Sequence, residues 1–174
     1  MELSLINNDS SHTLLVAQDG PKYKITTPQD VLGVSTTITR IEGELSTGLV
    51  GTEIGKVEHS APRGTRLLLC TTNMELVLYP YDASSASENS WSFTGPDNRP
   101  YKWQIFIQSP VLMLNDNSHT LLARYRRAKL GIVSRSRRAF LEILPAGLSS
   151  VDLIVVTFVS FMKQRVTIEY HSPS

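Results

Sequence analysis

Cysteine is nearly absent from this sequence: Cys70 stands alone among 174 residues. An internal disulfide and a cysteine-based zinc site are thereby excluded, and a reducing, cytoplasmic setting is expected. Within Leu67-Leu68-Leu69-Cys70 the thiol reads as a small buried hydrophobe. Surplus charge is missing too. Lys and Arg number 17 against 16 Asp and Glu, a net charge of +1, which argues against disorder and against wholesale nucleic-acid binding. The first residues carry no basic stretch followed by an apolar one, so no secretory signal is expected. The HExxH, GxSxG, P-loop and Rossmann signatures are all lacking, so no cofactor and no metal is implied.

What the chain does have is a near-copy of part of itself. Asn8-Asp9-Ser10-Ser11-His12-Thr13-Leu14-Leu15 returns as Asn115-Asp116-Asn117-Ser118-His119-Thr120-Leu121-Leu122, with one difference in eight. Leu32-Gly33-Val34-Ser35 ahead of Ile38-Thr39-Arg40-Ile41-Glu42 is echoed by Leu130-Gly131-Ile132-Val133-Ser134 ahead of Phe140-Leu141-Glu142-Ile143. Each copy reads as a polar turn, a strand, a return strand and a glycine-marked turn into a further strand. Two copies in a chain of this length suggest a single domain, 1–174, made of two pseudo-symmetric halves and large enough to bury a real core. A solenoid would need three or more short units.

Most segments are short, rich in β-branched residues, alternating, and bounded by Gly, Pro, Asn or Asp. That pattern predicts strands at 12–17, 23–27, 36–42, 53–59, 66–71, 75–79, 101–107, 111–115, 120–126, 138–144 and 166–170. The Ser/Ala-rich stretch from Asp82 to Ser87 reads as a loop. Residues 151–162 differ in kind, being apolar at nine of twelve positions with neither Gly nor Pro. Ser149 and Ser150 can cap a first turn, Asp152 suits the positive end of a helix dipole, and Lys163 and Arg165 suit the negative end. These signals predict a helix over about 149–163, although Val155-Val156-Thr157 also fits a buried strand. The run is short of the ~20 apolar residues of a bilayer span and is interrupted by Asp152, Thr157 and Ser160, so no stable transmembrane insertion is expected. Apolar on every face, the helix must be buried all round. About a dozen short strands and one such helix have a natural solution: a mainly β fold, closed as a barrel with the helix in its lumen.

Three stretches carry a family resemblance. Trp91-Ser92-Phe93-Thr94-Gly95-Pro96-Asp97-Asn98-Arg99-Pro100-Tyr101-Lys102-Trp103 is the first, Leu122-Ala123-Arg124-Tyr125 the second, and Asp152-Leu153-Ile154-Val155-Val156-Thr157-Phe158 the third. Together they resemble an uncharacterised family of fungal domains, abundant in mushroom-forming species. That family is similar to the tubby C-terminal and LURP-one-related superfamily, which includes phospholipid scramblases. The resemblance implies a twelve-stranded barrel of two pseudo-symmetric halves around a buried C-terminal hydrophobic helix. Tubby domains bind phosphoinositides through paired basic residues on a strand, but no such pair aligns here residue by residue. Scramblases use a calcium-binding acidic segment, and no matching cluster is present. Fold alone does not give function.

Two groups of side chains are candidates for chemistry. From Arg124 to Arg138 the chain holds seven cations (Arg124, Arg126, Arg127, Lys129, Arg135, Arg137, Arg138) and no acid. Alternation puts Arg124 and Arg126 on one strand face. Such a group is either a solvated barrel exterior or a surface for an anionic partner, a lipid headgroup or membrane surface above all. Nucleic acid is disfavoured, because Tyr125 alone offers a stacking platform within the stretch. The second group is Asp9/His12 and Asp116/His119, at equivalent repeat positions. They read as turn residues bonding their own backbone or, alternatively, as an acid-base or metal site assembled by pseudo-symmetry. Trp91, Tyr101 and Trp103 read as core aromatics, and Asp97 and Arg99 as turn-fixing residues. The expectation is a non-catalytic binding module for anionic phospholipid headgroups, cytoplasmic and peripheral to membranes. The alternatives are an enzyme for a small apolar or lipid-like substrate at the barrel mouth, with 82–90 as a lid, or a protein-interaction domain.

Overall fold

Alternation of apolar and polar side chains sorts nearly every strand between a lumen and an outer surface. A computed structural model describes residues 1–7, 9, 12–28, 35–43, 48, 50–60, 64–80, 90–129 and 136–171. The strands are β1 (Glu2–Leu5), β2 (Thr13–Ala17), β3 (Gly20–Thr26), β4 (Ser35–Glu42), β5 (Val50–Ser60) and β6 (Gly64–Leu69). They continue as β7 (Met74–Pro80), β8 (Ser90–Thr94), β9 (Pro100–Phe106), β10 (Ser109–Leu114), β11 (Leu121–Arg126) and β12 (Phe140–Ile143). Each pairs antiparallel with its sequence neighbour, and β1 pairs with β12 through Glu2–Glu142, Leu3–Leu141 and Ser4–Phe140, which closes the barrel. A 3₁₀ turn (Pro145–Ser150) then leads into α1 (Val151–His171), whose residues Leu153–Phe161 are buried in the lumen.

The up-and-down order gives the barrel two ends. Turns from even- to odd-numbered strands share the lower rim, where α1 begins. Turns from odd- to even-numbered strands share the upper rim, where Lys163 of α1 reaches Thr27 and Thr36. Pro145–Lys163 has a mean hydropathy of 1.6 and is long and apolar enough to cross a membrane by composition. Here the barrel takes the place of lipid, burying every residue from Leu153 to Phe161. Phe158 lies between Trp103 and Tyr125, with ring centroids 5.9 and 5.3 Å away, and Phe161 meets Trp91 edge-on at 4.4 Å. Gly55 lets the helix approach β5, since a Cβ there would stand 2.7 Å from the Val156 side chain. Inside the lumen Trp103 Nε1 donates to Thr157 Oγ1 at 3.0 Å.

Three expectations change. Residues 166–170, read as a strand, continue α1. A closed barrel has no free edge to accept another strand, so continuing the helix is the way to satisfy that backbone. β1 and β8, which the pattern missed, are needed to close the ring. Cys70 is half-buried in the β6–β7 turn, its thiol 3.4 Å from the Glu53 carboxylate, rather than in the core. The two repeat copies precede β2 and β11, which run in opposite directions along the barrel, so no rotation about its axis superposes them. The loop expected at 82–87 lies outside the described residues.

Candidate functional site

β11 carries the basic stretch to the upper rim, and the chain returns from there into β12. Alternation sends Ala123 and Tyr125 into the lumen and Arg124 and Arg126 outward. From that point the predicted cations differ in their surroundings. Arg124 donates two hydrogen bonds, of 2.5 and 3.0 Å, to Glu142, its cross-strand neighbour on β12. The hydrogen bond from Arg124 holds the Glu142 carboxyl below its usual range. A bidentate pair of this kind is already satisfied and has little to offer a ligand. Arg126 is half-buried and exerts a weaker pull on the same carboxylate.

Arg127, Lys129, Arg137 and Arg138 are exposed. Lys129 and Arg137 exchange backbone hydrogen bonds of 2.9 and 3.2 Å, which pinch the β11–β12 connection. The Arg137 guanidinium lies 4.7 Å from the centre of the Phe140 ring, a cation–π contact that orients it. Among the described residues, no carboxylate comes within 4 Å of Arg126, Arg127, Lys129, Arg137 or Arg138. Lys129, Ser136, Arg137 and Arg138 wall a cleft of about 390 Å³ with Leu5, Ile6 and Ala128. Arg135 lies outside the described residues. Like charges gathered without an acid repel one another, and an anionic ligand relieves that repulsion.

The four repeat residues do not come together. The β1–β2 connection puts Asp9 and His12 at the upper rim, and the β10–β11 connection puts Asp116 and His119 at the lower rim. His12 is engaged at both ring nitrogens: Nε2 meets the Thr27 carbonyl, and Nδ1 lies 3.5 Å from the Asp9 carboxylate. Asp116 accepts from the Ser118 amide and hydroxyl at 2.9 and 2.6 Å, and the Ser118 bonds hold its carboxyl below the usual range. His119 is exposed with a positive φ of 46°. A zinc ion needs its nitrogen ligands at about 2.0–2.1 Å, which two rims of one barrel cannot supply jointly. No cluster of three metal-ligating side chains occurs among the described residues.

Two polar clusters had no signal in the sequence. At the lower rim Asp152 accepts from the Tyr23 hydroxyl at 2.8 Å and from Arg40 at 2.5 Å, and Arg40 also reaches Glu42 at 2.7 Å. Burial first, and the Asp152 hydrogen bond second, push the Tyr23 hydroxyl far above its ordinary pKa. These residues border a cleft of about 650 Å³, and a second of about 420 Å³ lies beside Tyr101 and Asp97. At the upper rim the Lys163 ammonium donates to Thr27 and Thr36, and burial draws its pKa down while Asp9 works against that. Partners so distant in sequence leave no local pattern. None of the three clefts is lined by His12 or His119. Trp91, Tyr101 and Trp103 are core, and Asp97 fixes its turn through the Arg99 amide and the Tyr101 hydroxyl.

The chain belongs to a family of unknown function, DUF6593, which matches residues 7–167. Neither a curated protein nor a solved structure matches it.

Proposed function

We propose that this member of the family is a non-catalytic module that binds anionic headgroups at its upper rim, peripheral to a membrane on the cytoplasmic side. The observation that carries the reading is the set Arg127, Lys129, Arg137 and Arg138, exposed at one rim without a neighbouring carboxylate among the described residues, the last three lining one cleft. Each cation near an anionic bilayer contributes roughly 1 kcal/mol. Kinship with the tubby C-terminal, LURP-one-related and scramblase superfamily, and a fungal origin, belong to the same proposal. A closed barrel around a hydrophobic helix is what that kinship leads one to expect.

The test is sedimentation with vesicles of phosphatidylcholine, with and without phosphatidylserine. Wild type should bind the anionic vesicles, Arg127→Glu/Lys129→Glu/Arg137→Glu should not, and Arg124→Ala should bind nearly as wild type because Arg124 is held by Glu142. Absent binding by wild type, or equal binding by the triple variant, ends the reading. A second reading, an enzyme for a small lipid-like substrate, draws on the 650 Å³ lower-rim cleft with Tyr23, Arg40 and Asp152 at its wall. Turnover of any acyl or phosphoryl ester that disappears in Tyr23→Phe would favour it.

A further inference from the structure

The β9–β10 turn breaks two local rules at once. It is a two-residue hairpin loop, Phe106 pairing with Ser109 across Ile107 and Gln108. Both central residues have positive φ, 46° and 65°, the region that such turns normally fill with Asn, Asp or Gly. A β-branched residue is poorly suited to that backbone. Ile107 nevertheless occupies it, 82% exposed, and Phe106 beside it is 60% exposed. Neither the turn nor the core gains from these side chains, so the local cost points to a role outside the folded chain.

Their position names the partner. The turn belongs to the upper rim, the same end as the basic cluster. β10 lies between β9 and β11, and continuing the register from Val111–Arg124 brings Arg126 opposite Ser109, which pairs with Phe106. Two strand spacings separate Phe106 from Arg126, about 10 Å. On the other side of the cations stands Ile6, 41% exposed and part of their cleft. Protruding apolar side chains next to unneutralised cations match a surface that is anionic at its skin and apolar beneath. A soluble phosphate compound would use the cations alone.

We infer that Phe106 and Ile107 form a wedge that enters the interfacial layer of an anionic bilayer while the neighbouring Arg and Lys side chains hold its phosphates. This rests on the anionic-headgroup reading and commits it to a membrane.

The full chain is tested with phosphatidylcholine vesicles, with and without phosphatidylserine, and separately with inositol hexakisphosphate in solution. Phe106→Ser/Ile107→Asn should bind anionic vesicles about tenfold more weakly or worse, given the apolar area withdrawn, and should bind inositol hexakisphosphate as wild type does. Ile107→Asn alone should raise the melting temperature, because Asn suits the turn, while lowering vesicle binding. No purely structural role gives that opposition. In Ile107→Trp, added anionic vesicles should blue-shift the new indole, and brominated acyl chains should quench it. Vesicle binding undiminished in the double variant, or an indole unmoved in vesicle-bound protein, overturns the wedge and leaves the anion reading standing. Wild type that binds the soluble phosphate but no vesicle overturns the wedge and the membrane reading together, and leaves only a site for soluble anions. Wild type that binds neither overturns both. A Phe106-dependent dimer that binds no vesicle would assign the turn to a protein contact and overturn the wedge.

Discussion

At the lower rim, Lys22 holds Asp19 at 2.7 Å, Arg40 holds Asp152 and Glu42, and Arg99 faces Asp97 at 4.0 Å. At the upper rim, Arg127, Lys129, Arg137 and Arg138 have no carboxylate within 4 Å among the described residues. The two ends belong to one barrel. What separates them is whether charge is spent internally. The lower rim uses its ions to pin the start of α1 to β3 and β4, so mutation there should register as lost stability. At the upper rim the cations of the β11–β12 connection have no such partner among the described residues, so mutation of these should register as lost binding with the fold intact.

The largest effect should come from what both rims share. Phe158→Ala empties a fully buried site between Trp103 and Tyr125 and should cost about 3–5 kcal/mol by urea denaturation. An unchanged midpoint would mean that the helix is not the core on which both ends depend. Asp152→Ala comes next. It strands the buried Tyr23 hydroxyl and leaves Arg40 with Glu42 alone, and should cost about 1–3 kcal/mol. Arg127→Glu at the other end should stay within about 0.5 kcal/mol. Equal losses from the two would erase the distinction between the rims.

A pH titration sharpens the same contrast. Burial first, then the hydrogen bond to Asp97, push the lower-rim Tyr101 hydroxyl up to about 12. Between pH 10 and about 12 the unfolded chain has released this proton and the folded chain retains it. Stability therefore falls as pH rises through that window. Tyr101→Phe should make the fall shallower in denaturation curves taken from pH 9 to 12; an identical slope in the variant would remove Tyr101 from the account. The smallest expected effect concerns the repeat. His12→Ala and His119→Ala sit at opposite rims, and their stability changes should add within about 0.3–0.5 kcal/mol. Coupling above about 1 kcal/mol would show that the ends communicate.

Much of the barrel was legible from alternation, because each strand has one wet and one dry face. The strands at 36–42 and 101–107 are recovered as β4 and β9 nearly to the residue. Segment 166–170 misled for a physical reason. Val166-Thr167-Ile168-Glu169-Tyr170 has strand composition, and only closure of the sheet by β1 removes the edge that it would have joined. The basic stretch was legible as a stretch but not as a site. Alternation separates Arg124 from Arg127 by face but not by partner; the register of β11 against β12 gives Glu142 to the first and withholds any described carboxylate from the second. The exposed pair Phe106 and Ile107 read as the end of a strand, since their exposure depends on where the hairpin turns.

By itself the sequence determined what pattern and composition can fix. These are an antiparallel, mainly β chain, a helix apolar on all faces that had to be enclosed, and a charge asymmetry concentrated between Arg124 and Arg138. The tertiary structure alone decided what depends on partners distant in the chain. It separated the two Asp/His turns to opposite rims, fastened Asp152 to Tyr23 and Arg40, and neutralised Arg124. It also put the exposed cations and the Phe106–Ile107 turn at the same rim. Local patterns record which surface of an element must be dry, whereas cross-strand register and barrel closure settle which charges meet, and those follow from the whole ring of strands at once.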